Sequence, residues 1–150
     1  MGHTYACCLT HIVFSTKNRI PYLREEKRHD VFAYLGGIAR ETGLTALNIG
    51  GYEDHAHLLL AIPASICVAD AVRILKTNSS RWVHDKQILH PAFAWQEGYG
   101  AFSVSESCRE AVARYIDTQA EHHRRVSFQD EFLMFLRLHK IPYDERYIWT

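Results

Sequence analysis

The sequence predicts an α+β fold: one mostly antiparallel sheet with helices packed mainly on one face. Three observations carry that expectation. Segments rich in β-branched and aromatic residues alternate with segments whose apolar residues recur at helical spacing. Two of the strand-like segments, "LTALNIGG" and "HAHLLLAIP", are separated only by "YED", which reads as the turn of a hairpin. The resulting order, β-α-β-β-α-β-α-α, is that of a ferredoxin-like layer.

The elements follow in order along the chain. "TYACCLTHIVFST" (Thr4 to Thr16) reads as the first strand, and "KNRIPYL" as a loop carrying Lys17 and Arg19. "REEKRHDVFAYLGGIARETG" reads as a helix, with Val31, Leu35 and Ile38 on one side, acidic residues early and Gly43 as a stop. After the hairpin, Ser65 is expected to cap a helix running to about Asp85, whose apolar side holds Val68, Val72, Leu75 and Trp82. "AWQEGYGAFSVS" reads as the last strand, with Gly98 and Gly100 suggesting a bulge or bend. Ser107 and Glu110 have capping-box spacing at the start of "CREAVARYIDTQAEHHRR". Ser127 and Asp130 mark a similar start before "EFLMFLRLHK", and the aromatic tail "IPYDERYIWT" has no assigned element.

Composition narrows the classes. At 150 residues the chain is expected to be a single domain, residues 1–150, and its 47% apolar and 23% charged residues are ordinary for a globular protein. No apolar run approaches the roughly 20 residues of a membrane span, and no signal-peptide pattern opens the chain, so the expected location is cytoplasmic. Seventeen basic and seventeen acidic residues give zero formal net charge. Global electrostatics therefore offer no argument for a polyanion, and any such site must come from local clustering. Cys7, Cys8, Cys67 and Cys108 show no CxxC spacing and are expected to be reduced, buried thiols.

His55 and His57 stand out. Residues two apart on a strand share a face, so the two imidazoles project side by side, with Ala56, Leu58 and Leu60 on the opposite face. Both faces are apolar beyond the histidines, which marks a central strand. Such a pair has either ordinary hydrogen-bond partners or a bound cation, and the pair alone leaves both open. Tyr115 and Gln119, at i and i+4, stack on one face of a later helix. A glutamine carbonyl suits a hard divalent ion, and a tyrosine beside it suits a nucleophile.

Blocks spread along the chain resemble a known family. "DHAHLLL" is similar to the His-hydrophobic-His motif of the HUH endonucleases. "WQEGYGAFSVSES" followed by "YIDTQAEHH" resembles the strand and tyrosine helix of the single-tyrosine HUH transposases of the insertion-sequence two-hundred (IS200-like) type. "HIVFSTKNR" and "LKTNSSRWV" match in order and spacing, so the resemblance covers about residues 4 to 131. It implies a ferredoxin-like or RRM-like sheet and a homodimer that cuts and rejoins single-stranded DNA beside hairpins at the ends of a mobile element. It implies Tyr115 as the catalytic nucleophile, and His55, His57 and Gln119 as ligands of Mg²⁺ or Mn²⁺. The product would be a covalent 5′-phosphotyrosine, in a cytoplasmic protein that associates with the nucleoid when on DNA. Lys17, Arg19, Lys76 and Arg81 are candidates for phosphate contacts, with Trp82 or Tyr99 for stacking. Zero net charge then predicts a dipolar surface, with Glu25, Glu26, Asp130 and Glu131 placed away from DNA. Two other readings share these residues: a domesticated endonuclease acting on chromosomal repeats, and a non-catalytic hairpin-binding module. A small-molecule phosphoesterase using the histidine pair would leave Tyr115 and Gln119 without a role.

Overall fold

β1 (Leu9–Ser15) and β3 (His55–Ala61) form the centre of a four-stranded antiparallel sheet, with β2 (Thr45–Gly51) and β4 (Gly100–Val104) at its edges in the order β2-β3-β1-β4. This is a computed structural model, describing residues 2–149; Met1 and Thr150 lie outside the described residues. The helices are α1 (Glu25–Glu41), α2 (Val68–Asp85), α3 (Arg109–Asp117), the short α4 (Gln119–His122) and α5 (Phe128–Leu138). Element order and strand order together are those of the α+β ferredoxin-like layer.

The two long helices share one face of the sheet. Ile12 and Phe14 of β1 and Ala56, Leu58 and Leu60 of β3 pack there against Val31 and Leu35 of α1 and Val72 and Leu75 of α2. Burial of each large apolar side chain stabilises by roughly 1.5–3 kcal/mol relative to exposure. The other face carries a smaller core, in which Val13 and Phe102 meet Phe128, Phe132, Phe135 and Leu136 of α5. β3 is therefore covered on both faces, as its apolar pattern requires.

Several local expectations change. α2 begins at Val68, because the Cys67 thiol, in place of the Ser65 hydroxyl, accepts the Asp70 N–H at 3.4 Å. Ser107 lies in a 3₁₀ turn (Glu106–Cys108) and bonds Ser105 at 3.0 Å, so no capping box forms and α3 starts without a side-chain cap. Ser127 does cap α5, accepting the Asp130 N–H at 3.1 Å. β4 is shorter than predicted: Trp95 makes only an isolated bridge to Thr16, and the regular ladder begins at Gly100. A Cβ on Gly100 would stand 2.7 Å from the Phe132 ring, so this glycine lets α5 close on the sheet. The four cysteines are free thiols as expected, but all are exposed. Cys7 and Cys8 precede β1, and Cys67 and Cys108 sit at helix starts, where no layer covers them.

Candidate metal and nucleophile site

β3 carries His55 and His57 into the smaller core, where both are fully buried and their rings are 5.0 Å apart. Each is turned by a partner on its Nδ1. His55 Nδ1–H donates to Asp54 Oδ1 at 2.7 Å. His57 Nδ1 lies 2.8 Å from Nε2 of His11, a diagonal neighbour on β1, since Val13 pairs with His57 and His11 with Leu59. Both Nε2 atoms are left to face the space beneath α3 and α5.

Tyr115 and Gln119 do share a helical face, although α3 stops at Asp117 and α4 restarts at Gln119. Gln119 Nε2 donates to the Tyr115 carbonyl at 3.1 Å, which carries the i, i+4 relation across the break. That bond turns the buried Gln119 Oε1 toward His55 Nε2 at 3.1 Å and His123 Nε2 at 2.8 Å. α3 itself is tied to the β2 edge, where Asn48 Nδ2 donates to the Ala113 carbonyl at 2.7 Å and to Asp117 Oδ1 at 2.9 Å. Gly50, opposite His57 in the hairpin, permits this approach: a Cβ there would stand 2.9 Å from the Ile116 carbonyl oxygen. The Tyr115 ring consequently lies edge-on to His57, 5.8 Å between centroids.

The structure adds a residue to this group that the sequence reading placed on the surface. Glu25, Glu26 and Asp130 are exposed as predicted, but Glu131 is fully buried. Its Oε1 lies 3.0 Å from His57 Nε2, 3.3 Å from His123 Nε2 and 3.6 Å from His55 Nε2. Its Oε2 accepts a hydrogen bond from the Tyr115 hydroxyl and lies 3.2 Å from His122 Nε2. The cause is helical phase. With Ser127 as the cap, Glu131 falls on the same stripe as Phe128, Phe132 and Phe135. That spacing was a visible signal, as was the "HH" of His122 and His123 after the tyrosine helix.

Burial, then the neighbouring imidazoles, sets the protonation of the cluster. Burial pulls His57 down to about 4. Burial and then the His57 charge pull His11 down to about 3. Burial opposes ionisation of Glu131, yet hydrogen bonds from His123 and His57 overcome it and hold its carboxyl well below the usual range. The Tyr115 hydroxyl is pushed above its ordinary value, first by burial and then by the Glu131 charge. On His123, burial is outweighed by the Glu131 hydrogen bond, so its pKa is raised.

These partners leave an excess of acceptors. His123 Nδ1–H donates to the Val126 carbonyl at 2.7 Å, as His55 Nδ1–H does to Asp54. With Nδ1–H committed in this way, each ring turns its Nε2 toward Gln119 Oε1 and Glu131 Oε1, and a ring without a proton on Nε2 would there meet only acceptors. Either a proton or a cation must fill that gap, and the Glu131 hydrogen bond raises the pKa of His123. The ligand atoms of His55, His57, His123 and Glu131 all lie within 4.8 Å of one another. Octahedral Mg²⁺ with bonds of about 2.1 Å needs neighbouring donors about 3 Å apart. The spacings around Glu131 Oε1 come close to this, and imidazole with oxygen donors suits a divalent ion. The residues present fit such an ion.

Residues 4–119 match the model of the IS200-like transposase family. The chain belongs to that family. Over 114 residues it is 29% identical to the ISDra2 transposase TnpA of Deinococcus radiodurans, covering 73% of this chain and 81% of the relative. A crystal structure of a putative transposase from Deinococcus radiodurans R1 superposes with a TM-score of 0.62 at 26% identity, covering 79% of this chain and 96% of the other. A REP-associated tyrosine transposase bound to a REP hairpin shares the fold alone, with a TM-score of 0.59 at 13% identity over 84% of this chain and 74% of the other. The family match ends at Gln119, so His122, His123 and Glu131 of this transposase lie beyond it.

Of the candidate phosphate contacts of the transposase, two are exposed and two are engaged within the chain. Lys17 is exposed at the end of β1. The Arg19 guanidinium lies 5.3 Å from the Trp149 ring centroid and donates to the Trp149 carbonyl at 3.4 Å. Half-buried Lys76 donates to the carbonyls of Gln96 at 2.8 Å and Gly98 at 2.5 Å, clamping the loop before β4, with Tyr99 beside it. Arg81 is exposed near Trp82, whose ring is already stacked on Tyr34 at 4.2 Å. No helix among the described residues is long and apolar enough to cross a membrane.

Proposed function

We propose that this transposase cuts and rejoins single-stranded DNA beside hairpins at element ends, using Tyr115 as nucleophile and Mg²⁺ or Mn²⁺ as cofactor. The observation that carries the reading is the convergence of the Tyr115 hydroxyl with His55, His57 and Gln119 around one buried group of donor atoms. The hairpin ligand, a homodimeric state and cytoplasmic action on the bacterial nucleoid belong to the same proposal. A REP-associated transposase of the same fold is bound to a REP hairpin, which is in keeping with it.

The reaction asks for a phenol to attack a phosphodiester. A free tyrosine has a pKa of about 10, so about one molecule in a thousand is phenolate at neutral pH. A divalent ion bound there would supply charge withdrawal from the phosphate oxygens and orientation for in-line attack. His55, His57 and Gln119 would hold it, and Asp54 and His11 fix the two imidazoles from behind. The Tyr115 proton is held between Glu131 Oε2 and His122 Nε2. As the Tyr115 oxygen bonds phosphorus, the bond from phosphorus to the 3′ oxygen breaks, leaving a 5′-phosphotyrosine and a 3′-hydroxyl. The number of phosphoester bonds is conserved, so attack by another 3′-hydroxyl rejoins the strand without ATP.

The test is a labelled single strand carrying an element end, incubated with Mn²⁺. Wild-type protein should form a covalent adduct and Tyr115→Phe none. An adduct that persists in Tyr115→Phe removes Tyr115 as the nucleophile.

A further inference from the structure

We infer that Glu131 binds the divalent ion through Oε1 and holds the Tyr115 hydroxyl through Oε2, so that a single carboxylate on α5 joins metal and nucleophile. The inference rests on the proposed metal-dependent reading and adds to it an anionic ligand from outside the segment the family model matches.

Glu131 is the only fully buried carboxylate among the described residues. Its ion-pair partners are all imidazoles: His55, His57, His122 and His123. No lysine or arginine is among them, so its charge is balanced either by protons on histidines or by a cation in their place. A buried carboxylate is retained when it is paired or coordinates a metal. Its two oxygens divide the work. Oε1 faces the Nε2 atoms of His57, His123 and His55, and Oε2 accepts from Tyr115.

α5 is built to keep it there. The Ser127 cap fixes where the helix begins, and the Phe128 ring stacks on His55 with centroids 4.7 Å apart. Phe135, one turn beyond Glu131, meets Tyr115 edge-on at 5.9 Å. The helix thus packs on one metal-facing histidine, on the nucleophile, and places a carboxylate between them. His123, turned by Val126, belongs to the same donor set.

The experiment is Mn²⁺ titration of the full chain by calorimetry, alongside single-strand cleavage with Mn²⁺ or EDTA. Glu131→Gln, which keeps the shape and removes the charge, should bind Mn²⁺ at least tenfold more weakly. Tyr115→Phe should bind within twofold of wild type. If Glu131→Gln binds Mn²⁺ like wild type while wild type cleaves only with Mn²⁺, the inference fails and the proposed function survives. If wild type cleaves equally well in EDTA, the proposed function fails first and takes the inference with it. Should Glu131→Gln not fold by circular dichroism, wild-type crystals grown in Mn²⁺ decide. An anomalous peak bonded to His55, His57 and Glu131, with Tyr115 still on Oε2, is expected. A peak on the histidines with Glu131 turned away, or no peak, overturns the inference.

Discussion

The Nε2 of His11 lies 2.8 Å from the Nδ1 of His57, so a third imidazole, on the neighbouring strand, governs how the second histidine of the pair presents itself. In the metal-free chain His57 Nε2 bonds Glu131, so for His57 to offer a bare Nε2 to an ion its proton must move to Nδ1, where buried His11 is placed to accept it.

His11→Phe tests this relationship. The ring already packs among Phe102, Phe135 and Tyr115, so phenylalanine suits the space. Loss of an outer partner of a metal-binding histidine typically costs 10–100-fold in affinity. Mn²⁺ affinity should fall by about that factor while the far-ultraviolet circular dichroism stays unchanged. Unaltered Mn²⁺ affinity would mean that His11 does not set the His57 tautomer.

The buried histidines also make the metal-free protein sensitive to acid. His11 is held at about 3 and His57 at about 4, both below the ordinary 6.5. Between those values the unfolded chain takes up protons that the folded chain refuses, so stability is lost as pH falls below 6.5. At pH 5 the loss is at most about 2 kcal/mol per histidine. His123, whose pKa is raised, acts in the opposite sense and offsets part of it. Urea unfolding in EDTA should show about 2 kcal/mol less stability at pH 5 than at pH 7.5, and His11→Phe should reduce that difference. Greater stability at the lower pH would refute the assignment.

Gly50 should be intolerant of a methyl group. A Cβ there would meet the Ile116 carbonyl oxygen and Cγ2, both at 2.9 Å, so α3 must move outward and carry Tyr115 with it. Overpacking of this kind costs about 1–3 kcal/mol. Gly50→Ala should lower the melting temperature and slow adduct formation more than tenfold. Gly36→Ala, whose new Cβ would meet only Ile49 at 3.8 Å, should do neither and is the control.

Cleavage and DNA binding should separate at His55. His55→Ala removes a proposed metal ligand and leaves the exposed cations in place. Mn²⁺-dependent cleavage of a hairpin-flanked strand should disappear, while a mobility shift with the hairpin stays within about threefold of wild type. Loss of both together would place His55 in DNA binding instead of metal binding.

How much of this was readable in advance follows from sequence distance. The strand period of His55 and His57, the i, i+4 spacing of Tyr115 and Gln119 and the Ser127 cap are local, and local geometry carried them into place. Glu131 shares the helical spacing of Phe128, Phe132 and Phe135, but its charge points to the surface until α5 docks on the sheet and turns that stripe inward. His11 entered through strand register, which no single segment encodes. The exposed thiols show the converse: a cysteine's preference for the interior yields where a strand or helix has not yet begun.

Tyr115, 5.8 Å from His57 and bonded to Glu131, completes the group within a single polypeptide. The consequence is genetic as much as chemical. If each subunit keeps its own tyrosine helix as this chain does, a copy lacking the tyrosine and a copy lacking the histidines should fail to complement each other. Mixing Tyr115→Phe with His55→Ala protein should therefore yield no covalent adduct at any ratio, and recovered adduct would reveal tyrosine helices exchanged between subunits.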